Sequence, residues 1–322
     1  MPTCRALQIT APGEFGIIEM PVPQPGEDEV LIRVEACATC TNWELQTWNG
    51  TDIFDRPGYP VYPQNPGSPG HEAAGVVEAA GSGVSALTEG DKVAVLGSIR
   101  GPENDAHAEY VTRPEGQVAK LSADVDPVRA APLEMALCAL RSVDLEADIK
   151  GSSVGVVGLG PAGLLHLQVA RARGAHRVIG VDPVLARREA AAPLANRVAV
   201  PEGDGPALHE EGVDVVFECS GSAAGMAFGL NWARLRLHVF SVPSAPVEWG
   251  KASWLRGVAI EPYHWRGDSP AACLRRAAAM LEAGEIDTTP LISRVLPYPR
   301  YAEGLRLLET REAIKVVYQG WG

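Results

Sequence analysis

Residues 154–182 read VGVVGLGPAGLLHLQVARARGAHRVIGVD, and this stretch decides the fold. Val154, Val156 and Val157 form a short β-branched run, after which Gly158, Gly160 and Gly163 supply a G-x-G-x-x-G turn opening a segment rich in Leu, Ala and Arg. Residues 177–181 are a second β-branched run ending at Asp182. That acid stands about 20 residues past the glycines, where a dinucleotide-binding unit places it. Strand, tight turn, helix and strand in this register predict the βαβ unit of a doubly wound parallel sheet.

Each residue type here has a physical task. Gly158 permits the sharp turn, Gly160 leaves the backbone open to a pyrophosphate, and Gly163 lets the helix pack close to the strand. The helix start offers free N–H groups and the positive end of its dipole to phosphates, and Pro161 is tolerated there because no backbone donor is needed. Asp182 can accept from both hydroxyls of an adenosine ribose, whereas a 2'-phosphate would meet a like charge, so NAD is expected over NADP. The expected cofactor contacts in this unit are Gly158, Gly160, Pro161, Ala162, Gly163, Asp182, Pro183 and Arg187. Arg187 either reaches the ribose or stands as a solvated helix-face arginine.

A chain of 322 residues exceeds what one core usually serves, which predicts two domains. Hydrophobic residues at 46% and charged residues at 21% describe an ordinary globular protein. With 28 basic and 40 acidic residues the net charge is -12, and no basic tract tracks a phosphate backbone, so nucleic acid is not an expected partner. The N-terminal residues lack a basic flank followed by an apolar run, and no apolar stretch is long enough to span a bilayer. No membrane partner and a cytoplasmic location are expected. The six cysteines, Cys4, Cys37, Cys40, Cys138, Cys219 and Cys273, are scattered and form no disulfide framework; they are thiols or metal ligands.

Ahead of the dinucleotide unit the chain is rich in short strand patterns, Pro and Gly, with residues 56–70, RPGYPVYPQNPGSPG, expected as an extended loop. A helical spacing over residues 130–147 carries Glu134. Beyond Asp182, strand runs at 197–200, 213–217, 237–242 and 258–260 alternate with helical or loop segments, as a doubly wound sheet requires. After Pro262 come a helix (271–283), a strand (291–295), a helix (301–308) and a final strand (314–318).

Cys40, His71 and Glu134 offer a thiolate, an imidazole and a carboxylate, a set that suits Zn(II) with an open fourth position. The text around them is specific. VLIRVEACATCTNWEL (30–45) and PGHEAAGVV (69–77) resemble the first two zinc-ligand segments of the zinc-dependent medium-chain alcohol and polyol dehydrogenases. RAAPLEMALCAL (129–140) resembles the third segment in the sorbitol and threonine dehydrogenase branch, and LISRVLPY and EAIKVVY extend the resemblance to Tyr318. The resemblance implies a Rossmann NAD-binding domain, residues 144–263, and a β-rich GroES-like catalytic domain, residues 1–143 and 264–322. It implies Cys40, His71 and Glu134 as ligands of one zinc, with Glu72 beside the metal or exchanging onto it. Cys219 and Ser220 are expected near the adenosine, and Phe240, Ser241 and Val242 near the nicotinamide amide. Lys315 is expected at the pyrophosphate or as an exposed strand lysine.

Two departures stand out. Family members commonly carry a four-cysteine structural zinc lobe, but GSIRGPENDAHAEYV (97–111) contains no cysteine. The family's Ser or Thr two places after the first cysteine, with Asp following, is here Asn42 and Trp43, with Thr41 one place off. Asn42 cannot shuttle a proton as a hydroxyl does, though it can hold a water or the substrate oxygen. Trp43 and Trp48 either wall a pocket or belong to the core. His107 and His166 fall in no motif and are read as structural.

These expectations amount to a zinc-dependent oxidoreductase moving hydride between NAD(H) and a small alcohol, a polyol or its carbonyl counterpart, pairing as a homodimer or homotetramer. A zinc-free quinone or enone reductase of the same superfamily, or a cofactor binder without activity, are the alternatives.

Overall fold

The computed structural model describes residues 2–97, 105–246, 248–263 and 268–322. The chain forms two compact units, one of residues 1–137, 269–282 and 292–322, the other of residues 138–268 and 283–291. Compared with the division at 143/144 and 263/264, residues 138–143 and 283–291 therefore group with the nucleotide-type unit. A continuous helix, Leu133–Asp144, runs through the first boundary, so no break in pattern marks it. Gln168 holds the second segment by accepting from the Asp287 N–H at 2.6 Å and donating to its carbonyl at 3.0 Å. Residues 264–267, where the other boundary falls, and residues 98–104 of the cysteine-free segment lie outside the described residues.

In the first unit β1 (Thr3–Ala11) pairs antiparallel with β2 (Glu14–Pro21). A larger sheet is built on β3 (Glu29–Ala38), which pairs antiparallel with β4 (Glu72–Ala80) and with β6 (Tyr110–Pro114). The sheet continues through β5 (Lys92–Leu96) to β7 (Val118–Lys120). Val30 and Ile32 of β3 and Val77, Val93 and Val95 of its neighbours fill a common core. Helix α1 (Thr41–Trp48) starts at the end of β3, and α2 (Pro127–Ala130) opens on Asp126, whose carboxylate caps the Val128 N–H at 2.8 Å. Pro132 separates α2 from α3 (Leu133–Asp144), so the helical spacing read over 130–147 is carried by α3, and residue 130 ends the preceding helix.

Among the described residues the second unit holds six parallel strands: β8 (Ser153–Val157), β9 (Arg177–Val181), β10 (Arg197–Ala199), β11 (Val213–Glu218), β12 (Ala233–Val239) and β13 (Ala259–Pro262). Their order across the sheet, β10-β9-β8-β11-β12-β13, places a switch point between β8 and β11, where a doubly wound sheet binds its ligand. Val157, Val181, Val216, Phe217, Trp232 and Leu237 are among the core side chains. Helix α4 (Pro161–Ala172) follows β8 directly, as its glycine turn predicts. The chain then returns to the first unit, where β14 (Ile292–Leu296) pairs with β15 (Lys315–Tyr318) and β15 lies antiparallel to β3. No helix among the described residues is long and apolar enough to cross a membrane.

Candidate metal centre and nucleotide site

Cys40 is the N-cap of α1. Its position is fixed on both sides. Thr39, fully buried, exchanges backbone and hydroxyl hydrogen bonds with Val316 of β15 at 2.9–3.2 Å, and the Cys40 N–H donates to Glu44 at 3.1 Å. His71 enters β4 from the proline-rich loop, and its Nδ1 lies 2.7 Å from the Pro69 carbonyl. That contact favours the tautomer in which Nδ1 donates its proton to the carbonyl and Nε2 keeps a lone pair that a metal can take. Ligand atoms of Cys40, His71 and Glu72 lie within 4.8 Å of one another.

Burial works against charge on His71, yet Cys40, Glu134 and Glu72 hold its pKa well above the ordinary imidazole value. Glu134, buried in the first turn of α3, thus acts on the cluster electrostatically but does not join the 4.8 Å group. Thiolate, imidazole and carboxylate together are the donor chemistry of zinc. The surplus of negative charge over the one ring is what a dication requires. The residues fit the ion.

Glu72 is fully buried and its two oxygens accept from Lys315 Nζ at 2.8 and 2.7 Å. Burial raises its pKa and Glu134 adds to the rise, while Lys315 pulls it back. This corrects the expectation of an exposed strand lysine: Lys315 is fully buried. Its Nζ also donates to the Thr39 carbonyl at 2.5 Å, so all three ammonium protons are spent inside the first unit. The reason is that β15 is buried on both faces, so its side chains point into packed surroundings on either side.

Around Cys40 lies a polar network. Glu44, fully buried, is 3.2 Å from His107 Nε2 and accepts from the Tyr301 hydroxyl at 3.0 Å, while His107 Nδ1 is 3.3 Å from the Tyr298 hydroxyl. Burial opposes charge on His107, and the Cys37 sulfur and Glu44 carboxylate outweigh it, raising its pKa to about 10. The residues expected around the relay differ from one another. Asn42 is exposed, whereas the Thr41 hydroxyl is buried with no partner among the described residues. Trp43 packs on the His71 ring with centroids 5.2 Å apart, and Trp48 joins the core of Phe15 and Tyr301.

In the second unit every expected cofactor contact lies at a strand's carboxyl end or the helix start that follows. A Cβ on Gly158, whose φ is +89°, would meet the Ser220 N–H at 2.7 Å, and one on Gly163 would lie 1.9 Å from the Gly158 carbonyl oxygen; around Gly160 the space is open. Gly163→Val must therefore push α4 off the turn. We expect a stability loss of at least about 1–3 kcal/mol together with loss of dinucleotide binding, read by thermal unfolding and fluorescence titration; a variant that binds as wild type would contradict this packing account.

Asp182 is buried; it accepts from the Leu159 and Val184 N–H groups, both at 2.8 Å, and stands 3.7 Å from Arg187 Nη1. Arg187 thus pairs with the acid and is not simply solvated. Cys219 Sγ lies 3.5 Å from His166 Nδ1, and Phe240 stacks edge-on to His166 at 4.7 Å. Ser220 hydrogen-bonds with Glu218 and Ser222, while Ser241 and Val242 follow β12 at the surface.

A profile of the alcohol dehydrogenase GroES-like domain matches residues 26–123. L-threonine 3-dehydrogenase of Bacillus velezensis is 29% identical, with 93% of each chain covered. D-arabinitol dehydrogenase 1 of Uromyces fabae is 28% identical over 97% of this chain and 95% of its own. A zinc-binding dehydrogenase-type protein of Sinorhizobium meliloti, solved with NADP bound, superposes with a TM-score of 0.83 at 25% identity, covering 99% of this chain and 100% of the other. The chain is thus similar over nearly its whole length to alcohol dehydrogenase-like medium-chain dehydrogenases/reductases.

For this alcohol dehydrogenase-like chain, two features of the site escape sequence reasoning. Glu44 stands one helical turn after Cys40, a spacing that allows it to bond back to the Cys40 N–H, and that is the available signal. His107 carries none: it meets Glu44 across 63 residues of sequence.

Proposed function

We propose that the chain is a zinc-dependent oxidoreductase that moves hydride between NAD(H) and an alcohol or polyol, or its carbonyl counterpart. The observation that carries this reading is the meeting of Cys40, His71 and Glu72 within 4.8 Å, with Glu134 acting on the same ring. Cys40, His71 and Glu134 would hold the ion, and Glu72, tied to Lys315, would stand beside it or exchange onto it. Zinc, when bound, supplies a Lewis acid that lowers the pKa of an alcohol oxygen.

The chain's own groups supply the rest. Thr41 has the one hydroxyl beside Cys40 that is buried without a partner among the described residues, a costly state that a ligand's oxygen relieves. We assign it, and not Asn42, to accept and pass the proton. Thr41→Val should lower kcat by on the order of a hundredfold while Thr41→Ser keeps most of the rate; equal rates in the valine variant would remove Thr41 from the relay. The turn at Gly158–Gly163 and the start of α4 would seat the pyrophosphate, and Asp182 the ribose hydroxyls, which favours NAD over NADP. The names of the threonine and arabinitol relatives support an alcohol-bearing small molecule as substrate. A cytoplasmic homodimer or homotetramer belongs to the same reading.

The test is reduction of NAD+ by a panel of alcohols, with and without a chelator. Turnover that the chelator abolishes and zinc restores supports the proposal. Reduction of quinones or enones untouched by chelation would move the assignment to a zinc-free reductase, and cofactor binding with no turnover of either kind to a non-catalytic protein.

A further inference from the structure

We propose that the substrate is an alcohol bearing an aryl or bulky apolar group next to its carbinol carbon, recognised by an aromatic wall made of Trp43 and Phe54. This rests on the reading above that Cys40 and His71 hold the metal. The Trp43 indole lies against the His71 ring, centroids 5.2 Å apart and planes at 49°. The Phe54 ring meets Trp43 edge-on at 6.1 Å and 84°, and is half exposed. The aromatic pair thus abuts the imidazole of the donor set, and the proposal takes its exposed face as the surface that meets the substrate's carbon.

The segment holding Phe54 is pinned. Asp52 accepts from the Arg56 backbone N–H at 2.8 Å and from its guanidinium at 2.9 and 2.6 Å. The Arg56 guanidinium in turn lies over Phe54 at 5.5 Å and Tyr59 at 4.3 Å. A rigid aromatic face binds an aryl group with little ordering cost. Charge on this segment is largely spent. Of the four charged side chains between residues 41 and 60, Glu44 is committed to His107 and Tyr301 and Asp52 to Arg56, which leaves Asp55. A site built for a polyol or an amino alcohol presents a set of hydrogen-bond partners to the neighbouring hydroxyls or the ammonium and carboxylate, because each unpaired one is penalised. This wall presents ring carbon.

The experiment compares kcat/KM of the zinc-loaded enzyme for benzyl alcohol and 1-phenylethanol with that for 2-propanol, sorbitol and L-threonine. It is repeated in Trp43→Leu, Trp43→Ala and Phe54→Ala. We expect the aryl alcohols to lead by at least about tenfold, and the aryl to 2-propanol ratio to fall about tenfold in the Trp43 variants and severalfold in Phe54→Ala. A lead for sorbitol or threonine overturns the aryl preference and leaves the dehydrogenase reading standing. An equal loss on every substrate in Trp43→Leu also overturns it, since Trp43 then acts only on His71. Saturation-transfer NMR of benzyl alcohol on the metal-free and the zinc-loaded protein separates the two readings further. Binding lost in Trp43→Leu supports the wall even where no alcohol turns over, whereas no binding to wild type sinks it.

Discussion

Lys315→Met is expected to destabilise the fold by about 3–5 kcal/mol. The ammonium is fully buried, and its protons go to Thr39 and to both oxygens of a fully buried Glu72. Removing it leaves a carboxylate without compensation in a place where Glu134 already repels it. Two charges that are costly to desolvate together are far more costly when one is orphaned. The double variant Lys315→Met/Glu72→Gln should recover much of the loss, because the orphaned charge goes with its partner. Urea unfolding of the three proteins reads both effects. A single-variant change below about 1 kcal/mol would mean that the pair contributes no more than a surface ion pair does.

Stability is also expected to decline between about pH 7 and pH 10 through His107. In the unfolded chain an imidazole titrates near ~6.5. In the fold, despite burial, Cys37 and Glu44 raise it to about 10. The native state therefore keeps a proton that the unfolded chain releases. The contribution is complete below the unfolded value and is lost as pH climbs through the folded one. His107→Gln, which keeps a hydrogen-bonding group facing Glu44, should flatten the slope of stability against pH in this range. Parallel slopes in wild type and variant would show that another group carries the dependence.

The nucleotide-type unit was legible because its constraints are local. The glycine turn and Asp182 lie within one βαβ unit, and the structure returns the β10-β9-β8-β11-β12-β13 order that such units build. Cys40 and His71 were found by their surrounding text, and they meet. Helix α1 was not read as a helix, since its buried positions are Glu44 and Thr47, both polar, so it has no apolar period to detect. The reading of Lys315 as an exposed strand lysine fails for a related reason. A strand buried on both faces shows no alternation, and one lysine within it reads as surface. The Glu44–His107–Tyr301 network joins residues brought together only by the folded sheet and the C-terminal helix Tyr301–Glu309, and no spacing in the sequence encodes it.

The proposed metal centre requires that Cys40 and its neighbours hold zinc. Elemental analysis of metal-replete wild type and Cys40→Ala, with NAD binding followed by fluorescence in both, tests it most directly. About one zinc per chain in wild type, lost in Cys40→Ala while NAD still binds, is the predicted result. A wild-type protein that binds NAD but takes up no zinc, or a Cys40→Ala variant that keeps its full complement, would contradict it.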